Sequence, residues 1–185
     1  MSQQASPSSQ RSFAGMIGAL LVTVVVGGGW YLLARGDQEP HPVKSVEYAT
    51  WVSSGRADKK LVVLAPTTPP RGWKATSAKY DTGADPHWHL GLLDADGKYA
   101  GVEESAASTE DIVAEFVDEN ATRGKDVTIA GATWQTYTDS GGDYAVVRTL
   151  TAPGGGQERV LVYGSASPSS VRLLAESLSG SLSAG

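Results

Sequence analysis

The sequence predicts an α+β fold, an antiparallel β-sheet covered by helices, preceded by one N-terminal transmembrane helix. Three observations support this prediction. An uncharged apolar segment occupies residues 13–34. Short alternating segments with glycine-containing turns follow it, and two amphipathic helical segments interrupt them. Consecutive strands joined by hairpins pair antiparallel, and helices between such strands cover the sheet that they form.

The apolar segment FAGMIGALLVTVVVGGGWYLLA contains 22 residues without a charge. A helix of that length covers roughly 30 Å, the thickness of a hydrocarbon core. A cleaved signal peptide is the alternative, but its apolar region is usually only about 7–15 residues long, and no Ala-x-Ala motif precedes a cut after Ala34. We therefore expect an uncleaved anchor over residues 13–34, a cytoplasmic tail over 1–12, a linker over 35–45 and an extracytoplasmic domain over 46–185.

Charge and composition restrict the possible partners. The chain has 185 residues and no cysteine, which excludes disulfides, thiol nucleophiles and thiolate zinc sites. Residues 36–185 carry 13 basic and 20 acidic groups, a net charge of −7. Such a domain repels phosphate backbones, so we expect no nucleic-acid partner. The expected partners are the lipid bilayer through residues 13–34 and an envelope protein or small ligand, with no cofactor.

The outer domain is predicted to begin with a helix over residues 46–54, with Val46, Ala49 and Val52 on one side. The segment LVVLAP, residues 61–66, predicts a buried strand that proline ends. The segment WKATSAKY, residues 73–80, predicts a second strand with moderate alternation. A turn rich in proline connects the two.

The segment DPHWHLGLLDADGKYAGVEES, residues 85–105, predicts a β-hairpin, because Asp-Gly between alternating segments is a turn signal. Residues two apart share a face, so His87 and His89 point one way and the apolar residues point to the core. Pairing brings Glu103 and Glu104 near the histidines, in uncertain register. These four residues are the candidate ligands of an open zinc or copper site. The alternative is the solvent face of an ordinary amphipathic hairpin.

Two helices are predicted in the second half of the domain, with Ser108 and Ser167 as their N-caps and apolar residues at helical spacing. A hairpin followed by a helix thus occurs twice. Gly131 is expected to mark a bulge in the first of three further strands. These strands are predicted at residues 126–137, 143–152 and 157–164.

Three stretches carry a resemblance to a known family: LAPTTPPRGWKATSAKYD, WHLGLLDADGKYAGVEES and ATWQTY. They resemble the hallmark stretches of a family of actinobacterial single-pass membrane proteins catalogued as a domain of unknown function. The resemblance spans the anchor and nearly all of the outer domain. It implies an actinobacterial envelope protein with a short inner tail, and it implies no activity.

Function is predicted from the anchor and from missing motifs. The sequence contains no Gly-x-Ser-x-Gly elbow and no phosphate-binding loop. The first hypothesis is therefore a non-enzymatic, membrane-anchored binding or interaction module. Arg71 and Trp73, in the loop PTTPPRGW, are the residues expected to bind a partner. The alternatives are a metal-dependent or carboxylate-based hydrolase that uses residues 87–104, and a carrier of lipid or another small apolar ligand.

Overall fold

The computed structural model describes residues 44–178. The predicted tail, anchor and most of the linker lie outside the described residues. Within residues 44–178, no helix is both long enough and apolar enough to cross a membrane.

The described part of the chain forms one eight-stranded sheet and three helices, which confirms the α+β prediction. Every strand pair is antiparallel. The strand order is β1-β2-β3-β8-β7-β6-β4, and β5 pairs with β6. In chain order the elements are α1 (Ala49–Asp58), β1 (Lys74–Asp81), β2 (His87–Leu93), β3 (Tyr99–Ser105), α2 (Thr109–Phe116), β4 (Thr122–Arg123), β5 (Val127–Ile129), β6 (Ala132–Thr138), β7 (Tyr144–Thr151), β8 (Gln157–Gly164) and α3 (Pro168–Ser177).

Two three-stranded meanders, β1–β3 and β6–β8, meet through the pairing of β3 with β8. Each meander is followed by a helix, so the repeated order expected from the sequence is confirmed. The Ser108 hydroxyl accepts a hydrogen bond from Asp111 N at 3.1 Å. The Ser167 hydroxyl accepts one from Ser170 N, also at 3.1 Å. Each cap satisfies a backbone donor that the first turn leaves free.

The two faces of the sheet differ in what covers them. The first face carries the main core, where Trp88, Leu90 and Leu92 are fully buried together with apolar residues of α1 and α3. On the second face, Ile112 and Val113 of α2 pack over β7 and β8. The rest of that face, over β1, β2 and β3, keeps side chains that are partly exposed. We call this part the open face.

The prediction of a strand at residues 61–66 is wrong. The segment is irregular and makes no strand pairing. Val63 has a φ of 57°, a left-handed conformation that a β-branched residue rarely adopts. The indole N–H of Trp88 donates to the carbonyl oxygen of Leu64 at 2.9 Å. The segment is therefore a buried loop. Its apolar residues indicated burial and did not indicate a strand.

Two carboxylates replace the neighbouring strand that this segment was expected to have. Glu104 accepts hydrogen bonds from Val63 N at 2.9 Å and from Leu64 N at 2.5 Å. Glu158 accepts from Val62 N, with both oxygens 3.1–3.2 Å away. Buried backbone donors need acceptors, and three consecutive donors find them in these two side chains.

Two other local predictions are corrected. The first helix begins at Ala49 and extends to Asp58, and Ala49 itself is exposed, so its inner side starts at Val52. The predicted bulge at Gly131 is instead a two-residue turn between β5 and β6. Ala130 and Gly131 have φ values of 49° and 78°, the pair of positive angles that a tight hairpin requires.

Burial strongly raises the pKa values of Glu104 and Glu158, the two glutamates that hold the loop. Burial, followed by the negative charge of Glu158, raises the pKa of Glu104 to about 8, against the opposing effect of its backbone hydrogen bonds. Burial raises the pKa of Glu158 to about 7. Unfolded glutamates titrate near 4.3, at roughly the model-peptide value. The folded protein therefore holds protons at these sites that the unfolded chain has already released.

We expect the free energy of unfolding to fall as the pH rises from about 5 to about 8, since the folded state binds more protons in this range. The Glu104→Gln variant should show a smaller slope. It should also lose about 1–3 kcal/mol of stability, because an amide has one acceptor oxygen where two N–H groups donate. Urea unfolding of the full chain at pH 5, 6.5 and 8 measures both effects. Glu176→Gln, exposed on α3, is the matched control, and an unchanged slope in Glu104→Gln would contradict the prediction.

Candidate functional site

A buried carboxylate lies on the second face of the sheet. Glu103, on β3, has only 1% of its side chain exposed. Its cross-strand neighbours are His89 on β2 and Leu161 on β8. Strand alternation directs Glu103 and Glu104 to opposite faces. Burying an ionised carboxylate is unfavourable unless charged or hydrogen-bonding groups surround it, so the contacts of Glu103 decide how it is tolerated.

Two histidines of β2 supply most of these contacts. His89 Nδ1 lies 2.7 Å from Glu103 Oε1 and makes a hydrogen bond. His87 Nε2 lies 3.0 Å from Glu103 Oε2, which is an ion-pair distance, but the two atoms are not aligned for a hydrogen bond. The side chains of His87 and His89 remain 29% and 26% exposed. The carboxylate is therefore buried beneath imidazoles that solvent can reach.

Hydroxyl groups complete the surroundings of the carboxylate. Ser77 Oγ lies 2.7 Å from His89 Nε2. Tyr163 donates from its hydroxyl to Glu103 Oε1 at 3.2 Å, and the Tyr99 hydroxyl lies 3.4 Å from that of Tyr163. We call this set of side chains the Glu103 cluster: Ser77, His87, His89, Tyr99, Glu103 and Tyr163.

Two glycines make room for the cluster on the sheet. A Cβ atom at Gly91 would overlap Ser77 Oγ. A Cβ atom at Gly101 would lie 2.5 Å from the Tyr99 hydroxyl and 2.9 Å from the ring of Tyr163. Larger residues at either position would displace the hydroxyl groups from the surface of the strands. The glycines therefore set the distance at which the side chains meet.

The charges within the cluster shift the pKa values of its members. Burial acts to raise the pKa of Glu103, but the contacts with His87 and His89 outweigh burial, and the pKa is lowered. The 3.0 Å contact with Glu103 raises the pKa of His87. Burial opposes this effect, and the charges of Glu103, Glu115 and Asp81 support it. The arrangement thus favours an ionised glutamate beside a protonated His87.

A groove of about 500 Å³ adjoins the cluster at His87. The imidazole of His87 stacks on the ring of Phe116, with 5.6 Å between ring centroids and 13° between the planes. The groove is therefore lined by the apolar ring of Phe116 and by the titratable imidazole of His87. Its lining combines small apolar side chains with two acids, including Pro86, Ala106, Ala107, Asp85 and Glu115.

The structure brings together three of the four residues of the metal-site hypothesis. His87, His89 and Glu103 are in contact, whereas Glu104 lies on the opposite face and holds the buried loop. The four residues therefore do not form one ligand set. Among residues 44–178, no group of three or more histidines and acids is arranged to hold a metal ion.

The residues predicted to bind a partner lie away from the cluster. Arg71 is exposed, and Trp73 is half-buried against the main core. Trp73 also lines a groove of about 230 Å³ together with Tyr48 and Pro69. Partner binding by Arg71 and Trp73 stays a prediction.

Sequence reasoning missed Ser77 and Tyr163, which come from β1 and β8. The strand β8 pairs with β3 across a long stretch of the chain. The strand β1 pairs with its sequence neighbour β2, but its register is irregular between Ala75 and Ser77, and this irregularity brings Ser77 opposite Gly91. One usable indication was available in the sequence. Glycines inside strands often mark close approach of other groups, and Gly91 marks the position of Ser77.

Together the fold and the cluster define a class, namely a small α+β domain whose single antiparallel sheet carries a histidine–carboxylate cluster on a partly open face. The chain belongs to the family DUF4245, described as a protein of unknown function, whose model matches residues 9–178. This membership confirms the resemblance to a family of unknown function. No curated protein and no solved structure matches the chain.

The raised pKa of His87 leads to a direct test. Imidazole resonances of the full chain, followed by NMR over a pH titration, should give a His87 midpoint above 6.5, and Glu103→Gln should lower it because the charge it faces is removed. The ion pair therefore stabilises the fold below about pH 6.5, and this contribution is lost as the pH rises through the folded pKa. Glu115→Gln should lower the His87 midpoint by a smaller amount. A midpoint that is the same in Glu103→Gln as in the native chain would contradict the assignment.

Proposed function

We propose that the chain is a membrane-anchored, extracytoplasmic binding module of the actinobacterial cell envelope. The observation that carries this proposal is the uncharged segment of residues 13–34, which lies between Arg11 and Arg35. Its length matches the hydrocarbon core of a bilayer. The family model matches residues 9–178 and so includes this segment together with the domain.

The orientation follows from the short tail and the charge of the domain. Residues 1–12 carry Arg11 and the terminal amine and have no acid, which favours their retention in the cytoplasm. Residues 36–185 have a net charge of −7. Anionic headgroups repel such a domain. It is therefore tethered by its helix and presents its surfaces to soluble or envelope partners.

The binding surface is assigned to the groove beside His87 and the open face that continues from it. A binding site needs apolar area and a few oriented polar groups. Phe116 and Pro86 supply the apolar part, while His87, Asp85 and Glu115 supply polar groups. The acidic lining favours a ligand or peptide with hydrogen-bond donors or positive charge.

The anchor is tested with reporters fused to the C-terminus of the full chain in a bacterial host. We expect an alkaline phosphatase fusion to be active and membrane-bound, because this reporter requires export. Leu21→Arg with Val24→Arg should abolish the phosphatase activity and the membrane association. Each charge near the middle of a span makes membrane insertion less favourable by roughly 2.5–3.5 kcal/mol. Leu21→Ile with Val24→Leu is the matched control. Fluorescence from a cytoplasmic reporter, together with an inactive phosphatase, would disprove the orientation.

The binding surface is tested by photo-crosslinking in intact cells. A photoreactive residue replaces Ala106, which lines the groove. The control replaces Ser140, an exposed residue in the turn between β6 and β7. We expect a discrete adduct of defined mass at position 106 and none at position 140, because Ala106 lines a groove with apolar and polar contacts and Ser140 lies in an exposed turn. Equal labelling at both positions, or no adduct at position 106, would reject the groove as the binding surface.

A further inference from the structure

Three side chains of the Glu103 cluster form a continuous hydrogen-bonded line. Ser77 Oγ lies 2.7 Å from His89 Nε2. On the other side of the ring, His89 Nδ1 lies 2.7 Å from Glu103 Oε1. A hydroxyl on one ring nitrogen and a carboxylate on the other is the geometric criterion for an activated serine.

The donor and acceptor roles along this line follow from elementary chemistry. An ionised carboxylate only accepts hydrogen bonds, so His89 Nδ1 must carry the hydrogen that Glu103 receives. In a neutral imidazole the other nitrogen is then an acceptor. When His89 is neutral, Ser77 therefore donates its hydroxyl hydrogen to His89 Nε2. This is the tautomer in which a histidine removes a proton from a serine.

The surrounding structure holds these three side chains in position. Glu103 is 1% exposed, and its Oε1 also accepts from Tyr163 at 3.2 Å, so the carboxylate cannot turn freely. Gly91 leaves the space that Ser77 Oγ occupies. His89 is 26% exposed on the open face, and Ser77 is half-buried. Ser77 is therefore partly exposed, and its hydroxyl is held against His89.

We propose that Ser77, His89 and Glu103 form a nucleophile, base and positioning carboxylate that make Ser77 reactive toward carboxylic esters. The proposal rests on these distances alone. It does not depend on the membrane orientation.

The reaction balances with water as the only co-reactant. Ser77 Oγ bonds to the carbonyl carbon while His89 Nε2 takes the serine proton. The bond from that carbon to the alcohol oxygen breaks, and the proton passes to the leaving alcohol. Water then gives a proton to His89 and attacks the acyl group. The acid leaves, and the proton returns to Ser77 Oγ.

The shape of the surface indicates which esters fit. Ser77 pairs with Gly91, and His87 lies four positions from Gly91 along β2. This separation corresponds to about 13 Å at roughly 3.3 Å per residue. An extended ester with its carbonyl at Ser77 therefore passes over His89 and reaches the groove beside Phe116. The predicted substrate class is an extended ester with an apolar end.

The absence of native cysteine allows a direct measurement of activation. The variant Ser77→Cys of the full chain carries a single thiol, whose alkylation by iodoacetamide is followed over pH 5–10 by intact mass; the thiolate displaces iodide. A thiol paired with a histidine base titrates at about 7.5 or lower, whereas a free thiol titrates near 8.5. We expect the low midpoint in Ser77→Cys. The exposed control Ser165→Cys should show the ordinary midpoint.

Second variants separate activation from folding. Combining Ser77→Cys with His89→Gln should return the midpoint to about 8.5 or above, because glutamine keeps a polar contact but cannot take the proton. Combining Ser77→Cys with Glu103→Gln should also raise the alkylation midpoint. If Glu103 had only a structural role, its replacement would leave the midpoint unchanged. Intrinsic tryptophan fluorescence verifies the fold of each variant. A midpoint in Ser77→Cys equal to that of Ser165→Cys, or unaffected by His89→Gln, would overturn the proposal.

The native chain gives a complementary measurement. A fluorophosphonate should add one phosphonyl group to the peptide that contains Ser77, with release of fluoride and transfer of the serine proton to His89. Ser77→Ala should remove the adduct, and His89→Gln should slow labelling about 100-fold or more. Ser165→Ala should label like the native chain. Absence of the adduct in the native chain, or equal labelling in Ser77→Ala, would overturn the proposal.

Discussion

The structure depends on burying two adjacent carboxylates, Glu103 and Glu104, on opposite faces of one central strand. Both are fully buried, and neither is tolerated without partners. Glu104 satisfies this requirement by accepting two backbone N–H groups from the loop at residues 61–66. Glu103 satisfies it through histidine and hydroxyl groups. The loop on the first face and the cluster on the second are therefore consequences of the same two residues.

The two halves of the sheet share an order of elements but differ in how they are covered. The helix after the second meander, α3, packs on the main core with Val171 and Leu174 fully buried. The helix after the first meander, α2, packs over β7 and β8 instead of over its own strands. The strands β1, β2 and β3 thus keep one face partly exposed. That asymmetry leaves the histidines of β2 within reach of solvent.

On the open face, Glu103 contacts two histidines that have different neighbours. A buried acid orients His89, and His89 contacts the hydroxyl of Ser77. His87 links the same acid to the ring of Phe116 and to the groove beyond it. A ligand in the groove would therefore contact a ring whose charge depends on Glu103. Glu103 therefore contacts both the histidine beside the groove and the histidine beside Ser77.

Local sequence patterns were enough to predict the antiparallel α+β class, the hairpin at DADG, the two serine caps and the shared face of His87 and His89. These features follow from local periodicity and turn chemistry. Alternation also separates Glu103 from Glu104, which the four-residue metal-site hypothesis had placed together. The loop at residues 61–66 could not be predicted in this way, because burial gives a strand and a buried loop the same apolar pattern. The tertiary structure was also needed to place Ser77 and Tyr163 in the Glu103 cluster. A register irregularity in β1 brings Ser77 opposite Gly91, and the long-range pairing of β3 with β8 brings in Tyr163. No local sequence pattern encodes either register.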